Sequence, residues 1–286
     1  FDLGFALGPR INAAGRLADM RVGIACLISD DTGHALELAR ELDQINQQRR
    51  QIETTMRDEA IESLETARQR IGATVTLFHP DWHQGVVGLV ASRMKDRYWR
   101  ATLAFAPGEH GELRGSGRSI PDVHLRDALD LVSKRHPGMI LKFGGHAMAA
   151  GLTLKKTALE AFQQAFDDAV RELTGRDAFE PRIETDGSLE SGYANVQVAT
   201  LLQQQIWGAG FPVPVFHDTF RVRNQRLLKG RHLKLRLERG HQHFDAIWFN
   251  RNTLLGEQIE AAYRLDVNSW QGRHQAQLVI EHARDA

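Results

Sequence analysis

The feature that most constrains the fold is the stretch 34–70, which contains neither glycine nor proline. Apolar side chains recur in it at spacings of three, four or seven residues, as on one face of an α-helix. These positions are Leu38, Leu42, Ile45, Ile52, Met56, Ala60 and Leu64. Just before the stretch, Asp30 and Asp31 are residues that typically cap a helix N-terminus. The sequence predicts one long amphipathic helix, which either connects two lobes or packs along a single domain.

Length and composition indicate an ordinary globular protein. The 286 residues correspond to roughly two domains of usual size, and 42% of them are hydrophobic and 25% charged. No apolar run approaches the roughly 18 residues of a membrane span, and no secretory signal is present. The one cysteine, Cys26, has no partner for an internal disulfide, which predicts a reducing cytoplasm. Because the sequence begins at Phe1 within apolar, fold-like sequence, we expect it to be a fragment of a longer protein.

The middle of the sequence predicts an α/β domain. Short apolar runs at 73–78 and 101–106 are typical of strands, and a helical pattern from Val86 to Met94 separates them. Strand, helix and strand predict a βαβ unit in a largely parallel sheet. A further strand is predicted at 112–115, with helices at 122–134 and 157–173.

The C-terminal part changes character after the acidic, polar residues 174–188. Beyond a helix predicted at 196–206, five strand-like runs are predicted, at 215–227, 232–238, 244–249, 259–267 and 275–281. Turn signals at Lys229-Gly230, Arg239-Gly240 and Gln271-Gly272 separate several of them. Five strands and one helix favour a small closed β-barrel of the oligonucleotide-binding type.

The formal net charge of zero conceals a gradient along the chain. Residues 155–190 contain five Lys/Arg and nine Asp/Glu, whereas residues 217–251 contain nine Lys/Arg and three Asp/Glu. The second segment therefore has an excess of six positive charges. Such a local excess is sufficient to hold a phosphate backbone, although the whole chain is not a uniformly basic nucleic-acid binder.

Four segments combine glycine or small residues with groups that bind anions. In 142–151, Gly144 and Gly145 permit positive φ and close approach of a ligand, and His146 follows them. In 114–119, glycines alternate with the hydroxyl of Ser116 and the guanidinium of Arg118. Segment 82–88 places a histidine before a helix start, and segment 8–17 contains two arginines. Taken singly, each segment is equally typical of a packed turn, a capping loop, a strand end or solvated surface arginines.

In their combined order, these segments resemble the RecJ-type exonucleases, which are single-strand-specific DNA nucleases of the DHH phosphoesterase superfamily. Gly-Gly-His occurs in many DHH relatives, whereas its combination with a C-terminal barrel is specific to the RecJ type. The resemblance covers nearly the whole chain. The similar segments are 8–17, 82–93, 115–129, 142–154, 207–216, 244–250 and 263–268.

The resemblance implies a two-lobed nuclease in which a metal-bearing DHH lobe faces an accessory DHHA1 lobe across a cleft. The implied fold class is an α/β accessory domain with a long connecting helix, followed by a small OB-type β-barrel. The corresponding parts are the tail of the DHH lobe at 1–33, the connecting helix at 34–71, the DHHA1 domain at 72–174, a linker at 175–182 and the single-strand-binding barrel at 183–286.

The resemblance also implies roles for individual residues. Ser116 and Arg118, with Arg16, are expected to hold the 5′-terminal or nearby phosphates, and Gly117 and Arg10 are expected to contact phosphate or DNA. Gly144 and Gly145 are expected to contact the DNA. His146 and His83 are the expected catalytic residues, with His146 beside the reacting phosphate and His83 at the cleft wall. In the barrel, Arg223 and Lys234 are expected to contact the strand. Trp207 is the first ring expected to stack on a base, because aromatic stacking suits sequence-independent binding.

The implied activity is 5′→3′ hydrolysis of single-stranded DNA in recombination and repair, with two Mg or Mn ions. The ligand motifs of the family, an Asp-x-Asp, an isolated Asp and Asp-His-His, are absent from this sequence, so the ligands are expected upstream of Phe1 and the fragment alone is expected to be inactive. Asp30-Asp31 is interpreted as a helix cap, and His241, His243 and Asp245 as a solvated strand face. The expected partners are single-stranded DNA and, in the cell, a helicase and a single-strand-binding protein, with no membrane.

Two alternatives remain open. The first is a non-catalytic replication or repair factor that keeps this architecture without its metals. The second is a related DHH phosphoesterase that acts on short oligonucleotides or dinucleotides. The basic barrel segment favours a long strand over a short substrate.

Overall fold

The computed structural model describes residues 2–66, 71–208 and 210–286. The chain divides into two compact units, Phe1–Pro181 and Arg182–Ala286. Within the described ranges, no helix is both long and apolar enough to cross a membrane.

The first unit begins with a helical turn at Asp2–Leu7 and the helices α1 (Gly8–Leu17), α2 (Met20–Ile28) and α3 (Thr32–Thr66). The long helix is confirmed, although its predicted end near Arg70 lies outside the described residues. Its cap is Asp31, whose Oδ1 accepts hydrogen bonds from the backbone N–H groups of Gly33 and His34 at 2.8 and 3.3 Å. The N-terminal half of α3 packs on α1 and α2, and its C-terminal half packs on α4 (Val87–Tyr98).

A five-stranded sheet forms the centre of the first unit, in the order β1-β2-β3-β5-β4. Its strands are β1 (Thr74–Phe78), β2 (Ala101–Pro107), β3 (Glu112–Arg118), β4 (Ile140–Gly145) and β5 (Ala149–Lys155). The βαβ unit of β1, α4 and β2 is confirmed, and this strand pair is parallel. The prediction of a largely parallel sheet is wrong, because the other three strand pairs are antiparallel.

Helices cover the two faces of this sheet unequally. On one face, α3 and α4 pack over β1, β2 and β3. On the other face, α5 (Leu125–Arg135) and α6 (Leu159–Thr174) enclose the larger core, which includes Phe105, Phe162 and Phe166. Phe179 also packs in this core, and its carbonyl oxygen accepts a hydrogen bond from Arg100, so the chain stays attached to the sheet close to Pro181.

The Gly-Gly-His segment is the end of a strand and the start of a hairpin, which the sequence pattern did not predict. Gly144 and Gly145 end β4, and β5 begins at Ala149, three residues after His146. Gly145 has a φ of 149°, and an added Cβ would lie 2.3 Å from the carbonyl oxygen of Ala149. Gly144 has open space around an added Cβ instead. Only the second glycine is therefore required by the hairpin itself.

The second unit is a closed barrel with the strand order β10-β8-β7-β6-β9. Its helix is α7 (Val196–Gln204), and its strands are β6 (Phe216–Leu228), β7 (His232–Arg239), β8 (Gln242–Trp248), β9 (Gln258–Trp270) and β10 (Arg273–Asp285). The five predicted strands and the α/β-then-barrel fold class are confirmed. The turns also lie where they were predicted, with positive φ at Lys229, Gly230, Gly240, Gln271 and Gly272.

A buried carboxylate fastens the entry segment to the barrel. The side chain of Asp218 on β6 is 7% exposed and forms an ion pair with Arg239. It also accepts hydrogen bonds from the hydroxyls of Ser188 and Tyr263. Arg239 donates in turn to the carbonyl oxygen of Leu189 at 2.6 Å. Burial and the neighbouring Asp218 raise the pKa of the Tyr263 hydroxyl, which therefore stays a donor.

We expect Asp218→Ala to lower the free energy of unfolding of the barrel by about 3–5 kcal/mol, because it leaves the Arg239 charge buried without its partner. The matched control is Asp245→Ala, which removes the more exposed partner of Arg236 and should cost less than about 1 kcal/mol. Hydrogen exchange of the β6–β10 amides, measured at increasing urea concentration, gives the free energy of unfolding of the barrel in each variant. Equal losses in the two variants would contradict the fastening role of Asp218.

Candidate nucleic-acid interface

The loop that leads into α4 is held in place from two sides. Trp82 is buried, and its indole N–H donates to Glu59 on α3 at 2.8 Å. Arg16, at the end of α1, donates to the carbonyl oxygen of Gly85 at 3.1 Å. The first turn of α4, which carries the positive end of the helix dipole, is thereby fixed beside α1 and α3.

Ser116 and Arg118 of β3 lie against this first turn. A Cβ added to Gly88, the second residue of α4, would lie 2.8 Å from Ser116 Oγ and 3.1 Å from a guanidinium nitrogen of Arg118. The same guanidinium donates to Ser116 Oγ at 3.2 Å and to the carbonyl oxygen of Gly117 at 2.7 Å. A hydroxyl and a guanidinium therefore converge on the first turn of α4 where Gly88 lacks a side chain, and both are groups that bind phosphate oxygens. In that turn the backbone N–H groups of Val87 and Leu89 already donate to His83 and Val86, so the helix contributes mainly through its dipole.

Two positive charges meet at this point without a compensating carboxylate. Burial lowers the pKa of the Arg118 guanidinium, and the nearby charge of Arg16 lowers it further. Within the part of the chain that the structure describes, neither arginine forms an ion pair with Asp or Glu. Since arginine stays protonated at any ordinary pH, an anion that contacts both side chains would relieve their repulsion.

The glycines of β3 serve packing rather than this site. A Cβ on Gly115 would lie 2.3 Å from the ring of Phe105, and one on Gly117 would lie 2.6 Å from Leu125. Successive residues of a strand face opposite sides, so Gly115 and Gly117 face the core whereas Ser116 and Arg118 face α4. The structure thus explains Gly117, predicted as a phosphate contact, by close packing against the core.

His146 lies at the β4–β5 hairpin, whose loop is fixed by backbone hydrogen bonds. The N–H of His146 donates to Ala149 at 2.8 Å, and the carbonyl oxygens of Ala147 and Met148 accept from Leu125 and Ser119. Ala149 pairs with Arg118 on the neighbouring strand β3. Arg118 and His146 therefore lie on opposite sides of Ala149 within the sheet. The imidazole of His146 is exposed and has no hydrogen-bond or ion-pair partner among the described residues.

His83 faces its own loop through one ring nitrogen. Its Nδ1 accepts the backbone N–H of Gly85 at 3.0 Å, in the same loop that Arg16 contacts. This hydrogen bond requires an unprotonated Nδ1, so in the neutral ring the proton is on Nε2. His83 is therefore oriented next to the Arg16 contact, with Nε2 available as a donor.

Arg10 is not part of this group. Its guanidinium donates to Asp43 on α3 at 2.8 Å and to the carbonyl oxygen of Ala6 at 2.7 Å. It lies six residues before Arg16, which is about 9 Å along the helix axis. Arg10 was predicted to hold a phosphate, but the structure commits it to the contact between α1 and α3. Its ion-pair partner Asp43 lies 33 residues away in sequence, so a local sequence motif does not reveal this contact.

A groove on the barrel is the second candidate site. It has a volume of about 600 Å³ and is lined by cations, amides and two aliphatic side chains, with no Asp or Glu. These residues are Arg226, Leu228, Lys234, Ile247, Asn268, Gln271, Arg273, Gln275 and Gln277. Lys234 was predicted from the sequence, whereas Arg226 and Arg273 were missed as individual contacts. Arg226 pairs directly with Lys234 in the register of β6 and β7. A prediction of this strand pairing would have indicated Arg226 as a contact.

Several basic residues of the same segment are engaged elsewhere. Arg223, predicted to contact DNA, forms an ion pair with Glu238, and Arg236 and Arg239 pair with Asp245 and Asp218. None of these three arginines lines the groove. By contrast, the ion pairs seen among the described residues do not include Arg226, Lys234 or Arg273. The positive charge available to bind a nucleic-acid strand is therefore smaller than the number of Lys and Arg residues in the segment suggests.

Trp207, the ring predicted to stack on a base, is already stacked on Phe211, with ring centroids 5.1 Å apart. Its indole N–H donates to the carbonyl oxygen of Leu202 at 2.7 Å. Among the other aromatic rings of the barrel, Phe220 is buried and Phe249 is 51% exposed. Trp207 does not line the groove, so its role in base stacking stays a prediction.

The described residues do not fit a metal pair. No cluster of three or more His, Cys, Asp or Glu side chains that could hold a metal ion is found among them. Asp31 instead caps α3, and Asp245 pairs with Arg236. The described residues therefore provide no ligand set for a metal-dependent step.

Known proteins support this architecture. Residues 70–172 match the DHHA1 domain family, and residues 185–282 match the RecJ OB domain family. The single-stranded-DNA-specific exonuclease RecJ of Dickeya dadantii is 47% identical over 292 residues, which cover 98% of this chain and 51% of that protein. RecJ of Escherichia coli is 46% identical over the same shares. The crystal structure of Thermus thermophilus RecJ in complex with Mg²⁺ matches with a TM-score of 0.82 and 25% identity, over 100% of this chain and 44% of that chain.

The α/β unit, the barrel and these matches together define a DHHA1 and OB-domain protein of the DHH phosphoesterase superfamily. Within that class, the chain belongs to the RecJ family. The chain spans about half the length of the curated relatives it matches.

We expect Gly88→Ala to weaken the binding of inorganic phosphate about tenfold or more, because the new methyl group displaces Ser116 Oγ and the Arg118 guanidinium. One charge-assisted hydrogen bond contributes about 1.5–3 kcal/mol. Alanine favours the helix over glycine by up to about 1 kcal/mol, which partly offsets the cost of displacing the two side chains, and thermal unfolding measures the net change in stability. Titration with phosphate followed by NMR measures the effect. Gly192→Ala, where the added methyl has open space in the barrel unit, is the control, and an unchanged affinity in Gly88→Ala would contradict the assignment.

Proposed function

We propose that this chain is the DHHA1 and barrel portion of a 5′→3′ single-stranded DNA exonuclease of recombination and repair. The observation that carries the proposal is the convergence of Ser116, Arg118 and Arg16 on the first turn of α4. This arrangement suits a terminal phosphate dianion, which can accept hydrogen bonds from several donors at once. The names of the RecJ relatives support DNA single strands as the ligand that bears this phosphate.

In this proposal, Ser116, Arg118 and Arg16 hold the 5′-phosphate, and Gly144 leaves room for the DNA backbone to approach the sheet. His146 acts as a catalytic residue beside the reacting phosphate, because its exposed imidazole is held at the hairpin on the other side of Ala149 from Arg118. His83 lines the site next to Arg16. Gly145 acts indirectly, since its φ of 149° shapes the hairpin that presents His146.

The barrel groove would hold the strand further from its 5′ end. Arg226, Lys234 and Arg273 supply charge for the phosphates, and the groove's glutamine side chains and Asn268 can donate to bases or sugars without a sequence requirement. The three cations without a carboxylate supply the charge that a strand-binding surface needs, although no aromatic ring among the described residues lines the groove for base stacking. The groove favours the exonuclease over a phosphoesterase for dinucleotides, since a short substrate does not need a groove of this kind.

The hydrolytic step needs ligands that the described residues do not provide, so the complete protein is proposed to use two Mg or Mn ions held in its DHH lobe. Crystal structures of the Thermus thermophilus protein carry Mg²⁺ and Mn²⁺, which supports these two metals. When bound, such ions activate water and stabilise the leaving oxygen. The present chain alone is proposed to bind single strands without cutting them.

The proposed location is the cytoplasm, on the basis of the single cysteine Cys26. A helicase and a single-strand-binding protein are proposed as partners in the cell only by analogy with the family. A non-catalytic factor of the same architecture would bind strands equally well, and nucleotide release by the complete protein with Mn distinguishes the two.

The test of the 5′-phosphate site is Arg118→Ala. We expect it to weaken binding of a short 5′-phosphorylated strand about 10- to 150-fold, which corresponds to one charge-assisted hydrogen bond of about 1.5–3 kcal/mol. Binding of the same strand with a 5′-hydroxyl should change much less. Fluorescence anisotropy on matched strands measures both affinities. Arg126→Ala, an exposed arginine on the helix that covers the opposite sheet face, is the control, and equal losses on both strands in Arg118→Ala would refute the site.

The groove is tested by its salt dependence. Replacing Lys234 or Arg273 with alanine should lower the slope of log affinity against log salt by about 0.7 each for a long single strand, because each removes one phosphate contact. Arg223→Ala should change the slope less, since Glu238 already neutralises that side chain. Anisotropy titrations over a series of salt concentrations give the slopes. A larger change in Arg223→Ala than in Lys234→Ala would show that the groove is not the strand path.

A further inference from the structure

One face of the central sheet is open where β5 and β4 extend beyond α4. Gly151 on β5 and Gly144 on β4 are both exposed. An added Cβ at Gly144 has no atom within 4 Å, and one at Gly151 has only a backbone oxygen at 3.9 Å. This is the face on which Ser116 and Arg118 lie, because paired residues of neighbouring strands project to the same side. The open face is therefore continuous with the proposed phosphate site.

The strand register divides this face into parallel rows. The first row contains Arg118 and Ala149, with His146 beyond Ala149. The second row contains Ser116, Gly151 and Gly144. The register then defines a third row, which is Arg114 on β3, Thr153 on β5 and Lys142 on β4. No residue of these three rows is Asp or Glu.

The third row has the composition of a phosphate site. Arg114 and Lys142 are exposed, and Thr153 places a hydroxyl between them. The ion pairs formed by the described residues include neither of the two cations, so their charges are not already neutralised. The two cations are separated by two strand spacings, about 10 Å, which lets both long side chains reach one phosphate above Thr153.

The second row provides the path between the two sites. It lies about 7 Å from the third row along the strands, which is two residues of extended chain. Gly151 and Gly144 form a surface without side chains there, so a nucleic-acid backbone can cross it closely. This contrasts with Gly115 and Gly117 on the other face, where the missing side chains are required by Phe105 and Leu125.

We propose that Arg114, Thr153 and Lys142 form a second phosphate subsite, which holds an internal phosphate of the strand whose 5′-phosphate lies at Ser116 and Arg118. This subsite rests on the proposed function and extends it: it sets the direction in which the strand leaves the first site, across the glycine surface. It also predicts that this second subsite contributes affinity only to strands of more than one nucleotide. Arg114 and Lys142 act by binding, and neither touches the 5′-phosphate.

The test is the double variant Arg114→Gln/Lys142→Gln with 5′-phosphorylated ligands of two lengths. A trinucleotide should bind about tenfold more weakly, and its salt slope should fall by about 0.7, because the two cations together neutralise one phosphate of the single strand. A 5′-mononucleotide should bind with unchanged affinity. The single variant Lys142→Glu should weaken the trinucleotide further still, because it places a carboxylate in the row. Arg126→Gln on the opposite face is the matched control.

The outcomes separate this subsite from the first site. If the double variant binds the trinucleotide as the unchanged chain does, the subsite is refuted, whereas a loss in Arg118→Ala still supports the 5′-phosphate site. If binding of the mononucleotide weakens as much as binding of the trinucleotide, the two cations belong to the first site, and the subsite is also refuted. If poly-glutamate displaces neither ligand but binds to the third row, the row is a protein-docking surface and the subsite is refuted as well. Thermal unfolding of each variant confirms that the exposed substitutions leave the unit folded.

Discussion

The alternation of side chains along β3 is the constraint on which the first unit depends. Seven residues of one strand meet two opposite requirements, because their odd and even positions face different surroundings. Toward the core, Gly115 and Gly117 must be small, since Phe105 and Leu125 occupy the space of a side chain. Toward α4, Ser116 and Arg118 supply donors. A shift of register by one residue would bury the arginine and expose the glycines, so packing fixes the position of the site.

The sequence predicted the elements best where local signals act alone. The barrel strands are alternating runs between turns that require positive φ, as at Gly230 and Gly272, and both signals are read within a few residues. The long helix was equally clear, because its Asp31 cap and its apolar stripe agree. In contrast, β4 and β5 contain Gly144, Gly145 and Gly151, and glycine has little preference for a strand. They are strands because β5 pairs with β3 and β4 pairs with β5, and such pairing is not visible in one local segment.

The same limit applies to the candidate sites. Ser116, Arg118 and Arg16 were predicted together because a family pattern joined them, and the structure places them around α4. Arg10 and Arg223 were predicted on equal terms, but each has a carboxylate partner brought to it by folding, Asp43 on another helix and Glu238 on the neighbouring strand. Charge counted along a sequence is thus an upper limit on the charge that a ligand meets. The arginines that have no carboxylate partner after folding are the better candidates for binding an anion.

The candidate phosphate site draws its parts from separate elements of the first unit. Arg16 lies in the last turn of α1, Gly88 lies in the first turn of α4, and Ser116 and Arg118 lie on β3. Without a ligand, the two arginine charges oppose the contact between the N-terminal helices and the sheet. A bound phosphate would reverse the sign of that interaction and stabilise the unit by mass action. Occupancy of the site by an anion and cohesion of the N-terminal helices are therefore linked, so an anion bound there would also help to hold α1 against the sheet.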